Sequence, residues 1–103
     1  MATPEIEIIE KIDEQIKVHI PKMYKVILHN DDTTTVEFVI HVLMRIFHKK
    51  IEDAMVLTQT IHETGIGIAG APYTKEIAEE KTLETLASAR ANGFPLIATF
   101  EEL

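Results

Sequence analysis

Cysteine is absent from this chain of 103 residues, which excludes disulfide bonds, thiolate metal sites and a cysteine nucleophile. Tryptophan is also absent and aromatic residues make up only 6%, so a platform for stacking nucleic-acid bases is not expected. Basic residues are few, with 10 Lys and Arg against 17 Asp and Glu, whereas a nucleic-acid binder needs a basic surface. No apolar run approaches the roughly 20 residues of a membrane span. We expect one acidic, cytoplasmic domain that binds neither nucleic acid nor membrane.

The first 22 residues differ from the rest in composition. Acidic side chains dominate residues 1–15, isoleucines recur between them, and Pro21 stands at the end of the segment. A basic start followed by a small-residue cleavage site is missing, so a secretory signal is not indicated. We predict a flexible N-terminal extension over residues 1–22 and a folded core over residues 23–103. An ordered helix or strand within the extension is the alternative.

The remaining residues show the periodicity of three short strands and three helices. A capping box at Thr34 and Glu37 predicts the start of the first helix, and Gly65 predicts the end of the second. Thr74 is expected to cap a third helix, Lys75 to Ala91. Short β-branched and apolar runs predict strands at residues 23–28, 66–70 and 96–100.

The order β-α-α-β-α-β predicts an α+β fold. Three strands are expected to form one antiparallel sheet, and three helices are expected to cover one of its faces. The inner stripe of the third helix is predicted to consist of Ala78, Leu83, Leu86 and Ala87.

Hydrogen-bond acceptors follow the first strand and recur near the end of the second helix. An ammonium group carries three donors and no acceptor, so Asn30, Asp31 and a neutral His62 would suit it. These three side chains converge only if the turn after the first strand lies beside the second helix. Capture of a terminal amine is a known recognition mode, and the spacing therefore suggests a site for a peptide N-terminus with a hydrophobic first side chain. An apolar hollow for that side chain would be lined by Val36, Val39, Thr58 and Ile61.

A metal-dependent enzyme is an alternative for the same residues. His29, Asp31, Asp32 and His62 could bind a divalent cation, because imidazole and carboxylate are ligands for such ions. However, paired aspartates before a helix more often serve capping and turn formation, and a helical histidine is more often partly buried with a backbone partner. The common catalytic and nucleotide-binding motifs are absent from the sequence. We therefore expect neither catalysis nor a cofactor.

The run from Met23 to Asp32 (MYKVILHNDD) is followed by Glu37-Phe38-Val39 and, later, by Ile61-His62-x-x-Gly65. In combination these segments resemble the signature of the ClpS family of protease adaptors, and the resemblance covers residues 23–103. Further residues that match the family pattern are Ala54, Gly70, Tyr73, Thr74, Glu76, Ala78, Glu79, Lys81, Pro95 and Leu96.

The resemblance implies a monomeric adaptor of the N-end rule pathway, without catalytic activity. Such adaptors bind proteins with N-terminal Leu, Phe, Tyr or Trp (N-degrons) and deliver them to a Clp AAA+ unfoldase, ClpA or ClpC, for degradation by ClpP. By match, Asn30, Asp31 and His62 would hold the α-amino group, and Glu76 and Lys81 would contact the N-terminal domain of the unfoldase. The pocket for the first side chain would be formed by Asp32, Thr34, Val36, Val39, Thr58, Ile61 and Leu96.

The sequence departs from the family pattern around this pocket. Thr35-Val36 stands where the family usually has Pro-Met, and that methionine acts as a gate that restricts β-branched first residues. Thr58 replaces a second methionine common in the pocket, and Thr33 replaces a frequent aromatic residue. The resemblance therefore leaves open which N-terminal residues this chain accepts.

The alternative function is that of a non-proteolytic interaction domain. The same element order resembles the C-terminal domain of the ribosomal stalk protein, which docks translation factors. That domain needs neither the turn Asn30-Asp31-Asp32 nor His62, so these residues favour the adaptor.

Overall fold

A computed structural model describes residues 21–103 and contains six elements in the predicted order. They are β1 (Tyr24–His29), α1 (Val36–Arg45), α2 (Ile51–Thr64), β2 (Ile66–Tyr73), α3 (Lys75–Ala91) and β3 (Ile97–Glu102). The strands form one antiparallel sheet in the order β2-β1-β3, which confirms the predicted α+β fold. Of the extension predicted at residues 1–22, residues 1–20 lie outside the described part of the chain. Within residues 21–103, no helix is long and apolar enough to cross a membrane.

The core lies between the sheet and the helices. Val26 and Leu28 of the central strand are fully buried there, whereas Ile27, between them, faces the other side of the sheet. Helix α3 packs against all three strands, and α2 packs against both β2 and α1. The helices contribute mainly Phe38, Val39, Val42, Leu43, Ala54, Ile61, Ala78 and Ala89 to the core.

Helix α3 has the predicted bounds but a different buried face. Its buried residues are Ala78, Thr82, Thr85 and Ala89. The inward placement predicted for Leu83 and Ala87 is wrong, because Leu83 is 59% exposed and Ala87 is also exposed. The small buried side chains let the helix approach the sheet closely. Each buried threonine hydroxyl donates to the carbonyl one turn earlier, at 2.8 Å, so its burial leaves no unpaired donor.

Helix α1 begins one residue later than the capping box predicted. Thr35 is the N-cap, and its hydroxyl oxygen accepts a hydrogen bond from the amide of Phe38 at 3.2 Å. The Thr34 side chain is instead directed at Asp31, because its hydroxyl donates to that carboxylate at 2.6 Å. The turn before the helix has therefore displaced the cap by one position.

Lys81 of α3 holds the carboxyl end of α1. Its ammonium donates a hydrogen bond of 2.8 Å to the carbonyl of Ile46, the C-cap residue of α1. The same nitrogen lies 5.8 Å from the ring centre of Phe47 and 5.6 Å from that of Tyr73. A cation is favourable at the negative end of a helix and over aromatic faces, so Lys81 has a structural role.

We expect Lys81→Met to lower the free energy of unfolding by about 1–3 kcal/mol, because it removes a charged donor from a carbonyl that then lacks a partner. Urea unfolding monitored by circular dichroism measures the loss. Lys75→Met, at an exposed position in the first turn of the same helix, is the matched control. Equal losses in the two variants would contradict a structural role for Lys81.

Candidate functional site

The pairing of β1 with β2 fixes the position of the turn that follows β1. His29 pairs with Ile66, and the amide of Asn30 donates to the carbonyl of Gly65 at 2.8 Å. Gly65 has φ +93° and ends α2 in the left-handed region, as predicted. His62 lies in the last turn of α2, so the turn after β1 and His62 are neighbours. The turn after β1 therefore lies beside α2, which is the condition under which Asn30, Asp31 and His62 are expected to converge.

The Asp31 carboxylate organises this turn. One oxygen accepts hydrogen bonds from the amides of Thr33 and Thr34, at 2.8 and 2.7 Å. The other oxygen accepts from the Thr34 hydroxyl at 2.6 Å. Aspartate commonly closes turns in this way, and here it fixes the backbone between β1 and α1.

The pKa of Asp31 reflects two opposing effects. Partial burial alone would raise the pKa. The hydrogen bonds from Thr34 and Thr33, together with the positive charge of Arg90, outweigh this effect and leave the pKa of the carboxyl below its ordinary value. Asp31 is therefore a negative charge at the site throughout the neutral pH range.

A cavity of about 240 Å³ opens beside this turn. The structure brings together there nearly all of the residues predicted for the amine site and the side-chain pocket. Leu96 is the exception: it is 1% exposed and lines a small gap next to the cavity. The lining residues are Asn30, Asp31, Asp32, Thr34, Val36, Val39, Thr58, Ile61 and His62.

The cavity combines a polar rim with an apolar interior. Asn30 and His62 are exposed at the rim, whereas Val39 and Ile61 are buried. Thr58 is also buried, and its hydroxyl donates to the Ala54 carbonyl at 2.7 Å, so it does not require a polar occupant. An apolar cavity of about 150 Å³ is known to hold benzene, so the space here accommodates an aromatic side chain.

Arg90 supports the site, and sequence reasoning missed it. Its guanidinium donates to the carbonyls of Phe94 and Leu96, both at 2.9 Å, and so holds the segment that leads into β3. Its charge also contributes to the lowered pKa of Asp31. These contacts require the chain to reverse at Gly93, where φ is +78°. The only sequence signal is a basic residue in the last turn of a helix, which is too common to indicate a site.

The other predicted residues lie apart from the cavity. The His29 ring nitrogen pairs with the Thr99 hydroxyl across the sheet, at 2.8 Å. Glu76 is exposed in the first turn of α3, and Lys81 is engaged with α1; neither lines the cavity. Between residues 21 and 103, no three His, Asp or Glu side chains cluster in a way that could hold a metal ion.

Comparison with known families identifies a match over most of the chain. The family model for ClpS, the ATP-dependent Clp protease adaptor protein, matches residues 19–99. The ATP-dependent Clp protease adapter protein ClpS of Clostridium acetobutylicum is 48% identical over 94 residues, which cover 91% of this chain and 92% of that protein. The protein of the same name from Campylobacter jejuni subsp. jejuni (strain 81-176) is 51% identical over 89 residues, which cover 86% and 92%. These similarities favour the adaptor over the stalk-like interaction domain.

A solved structure gives the same result for the fold. Agrobacterium tumefaciens ClpS2 bound to L-phenylalaninamide superimposes with a TM-score of 0.78 at 36% sequence identity. The superposition covers 82% of this chain and 100% of that one.

Because folding lowers the pKa of Asp31, its charge stabilises the fold at pH values above the ordinary aspartate pKa of about 3.9. This contribution is lost as the pH falls through the still lower pKa of the folded state. We expect Asp31→Asn to lower the free energy of unfolding by about 1 kcal/mol at neutral pH, since charged acceptors bind more strongly than neutral ones. The deficit should shrink below about pH 4.

Urea unfolding at several pH values measures this dependence. Asp32→Asn removes a neighbouring charge without altering these hydrogen bonds and serves as the control. A deficit of Asp31→Asn that stays constant down to pH 3 would contradict the argument.

Proposed function

The chain belongs to the ClpS family of ATP-dependent Clp protease adaptor proteins, and from that premise we propose that it recognises substrates by a bulky hydrophobic N-terminal residue and delivers them to a Clp AAA+ unfoldase. The family consists of adaptors and not of enzymes. One observation carries the proposal: hydrogen-bond acceptors stand at the rim of an apolar cavity of about 240 Å³. In the related ClpS2 structure the bound molecule, L-phenylalaninamide, has an α-amine beside an aromatic side chain, which supports this interpretation.

The α-amino group interacts with three side chains in this proposal. The amide oxygen of Asn30 and a neutral ring nitrogen of His62 accept hydrogen bonds from the ammonium. Asp31 already accepts bonds from Thr33 and Thr34, but a carboxylate has about four acceptor positions, so it can also face the ammonium as a fixed negative charge. The turn that Asp31 closes positions Asn30 and Asp31 before the substrate arrives, and α2 positions His62.

The first side chain of the substrate occupies the apolar interior. Val36, Val39, Thr58 and Ile61 provide its walls, while Asp32 and Thr34 stand at the mouth. Leu96 lines a small gap beside this interior together with Val39 and Ile61. Burial of an aromatic or leucine side chain supplies about 1.5–3 kcal/mol, and the ammonium contacts restrict this gain to chain N-termini.

We also propose that α3 provides the contact with the N-terminal domain of the unfoldase, ClpA or ClpC. Glu76 is exposed in the first turn of α3 and is free to meet a partner. The ammonium of Lys81 is held by the Ile46 carbonyl, so a substitution there disturbs the fold as well as any interface. Glu76 is therefore the informative position. The adaptor is expected to act as a monomer in the cytoplasm.

We predict that acetylation of a Phe-initiated peptide abolishes binding, because the acceptors lose their cationic donor. Asn30→Ala and His62→Ala should each weaken binding of the free peptide by about 5- to 150-fold, which corresponds to about 1–3 kcal/mol. Fluorescence anisotropy with a labelled peptide measures both effects. His41→Ala, an exposed histidine outside the cavity, is the control. Equal affinity for free and acetylated peptides would refute the amine site.

The short side chains of Val36 and Thr58 predict relaxed selectivity. Relatives with methionine at both positions have a narrower entrance, so this chain should discriminate less against Ile and Val as first residues. We expect Val36→Met to raise the Leu-to-Ile affinity ratio by about 5-fold or more, since one methylene changes pocket discrimination by about 1–3 kcal/mol. Titration with Leu-, Ile-, Val- and Phe-initiated peptides measures this ratio. An unchanged ratio would show that position 36 is not a gate here.

For delivery, we expect Glu76→Lys to weaken binding to the unfoldase and to slow substrate degradation while leaving free-peptide affinity intact. Rim charges act mainly on association, so the effect should be largest at low salt. Glu52→Lys, the same charge change on α2, is the control. Unchanged unfoldase binding by Glu76→Lys would exclude this contact.

A further inference from the structure

A second cavity adjoins the first, between α1 and α2. Its volume is about 350 Å³. It shares Val36, Thr58 and His62 with the first cavity, so these residues mark the boundary between the two spaces. Its complete lining is Val36, Ile40, Met55, Thr58, Gln59 and His62. Ile40, Met55 and Gln59 take no part in the contacts proposed above for the first side chain, the α-amine or the unfoldase.

The free surface of this second cavity is mainly apolar. Val36 and Met55 face it from opposite helices, and each is 55% exposed. The Gln59 amide is engaged with Glu63 at 2.7 Å, and the Thr58 hydroxyl with Ala54. Exposed apolar side chains that face one another across a groove mark a surface that a partner covers, and methionine adapts to occupants of different shape.

The position of His62 locates the start of a bound peptide relative to this groove. His62 lines both cavities and, in the proposed function, holds the α-amino group, so the peptide begins at the boundary between them. Met55 lies seven residues before His62 in α2, which is about 10 Å along the helix axis. A peptide that runs from His62 along α2 toward Met55 therefore reaches the second cavity within its first few residues.

We propose that the second cavity binds an apolar side chain at the third residue of the same substrate. In an extended peptide, side chains one and three point to the same side and lie about 6.6 Å apart, whereas side chain two points to the other side. With the first side chain in the first cavity, the third is directed at the groove and the second at solvent. The inference rests on the proposed function, because the position of the third residue is counted from the bound α-amine.

The experiment compares two peptides that differ only at the third residue, Phe-Ala-Leu and Phe-Ala-Ser followed by the same polar sequence. The leucine peptide should bind about 5-fold more tightly, because its side chain is partly buried. In Met55→Glu this ratio should fall to near one. Val56→Glu introduces the same charge at the next position of α2, where the side chain is 68% exposed and does not line the cavity, and should keep the ratio. The added charge attracts the ammonium of both peptides equally, so this attraction does not alter the ratio of their affinities.

Three results would overturn the inference. The first is equal affinity for the two peptides, and the second is a leucine preference that survives in Met55→Glu. A Leu-for-Ser exchange at the second residue should have little effect, and a larger effect there than at the third residue would also overturn it. An acetylated Phe-Ala-Leu peptide distinguishes failure of this inference from failure of the proposed function. If the acetylated peptide binds as well as the free one, the proposed function fails too. If binding requires the free amine but shows no preference at the third residue, only the role of the second cavity is refuted.

Discussion

The site depends on one backbone constraint, the antiparallel register that pairs His29 with Ile66 and lets the Asn30 amide donate to the Gly65 carbonyl. This register places the turn after β1 against the end of α2. Without it, Asn30 and His62 would belong to separate elements with no reason to meet. The same contact requires Gly65 in the left-handed region, so that the chain passes from α2 into β2 without an intervening loop. The recognition site is thus built on the paired ends of the two strands and not on a free loop.

A second set of interactions preserves the shape of the turn once the register is fixed. Asp31 binds the backbone ahead of α1, and Arg90 ties the segment before β3 to α3 while its charge reaches Asp31. Because Asp31 and Arg90 are already hydrogen-bonded within the protein, these two side chains lose little conformational freedom when a peptide binds. Lys81 restrains the other end of α1 in the same way. The helix that forms one side of both cavities is therefore held at both of its ends.

Much of this arrangement is predictable from local sequence signals. The bounds of α3 follow from Thr74 and from the break at Asn92-Gly93. The chemistry of Asn30 and His62 suggests a shared site, but their convergence requires the turn after β1 to lie beside α2, which the strand register provides. The details that failed depend on side-chain contacts and packing that periodicity and capping rules do not encode. Thr35 caps α1 while the Thr34 side chain is directed at Asp31, and α3 buries Thr82 in place of Leu83 because a small side chain suits close packing on the sheet. The roles of Arg90 and Lys81 are invisible to periodicity because their partners are carbonyls, which every residue has.

The most direct test of the central claim is a nuclear magnetic resonance titration of the full chain, labelled with ¹⁵N, with L-phenylalaninamide. If a substrate N-terminus and its first side chain occupy the first cavity, the largest amide shifts should come from Asn30, Asp31, Thr34, Val39 and His62. Amides on the solvent-facing side of α3, which lies on another part of the surface, should remain unchanged. Shifts that cluster on α3 or on the helix-free face of the sheet, with the turn after β1 unaffected, would contradict the account.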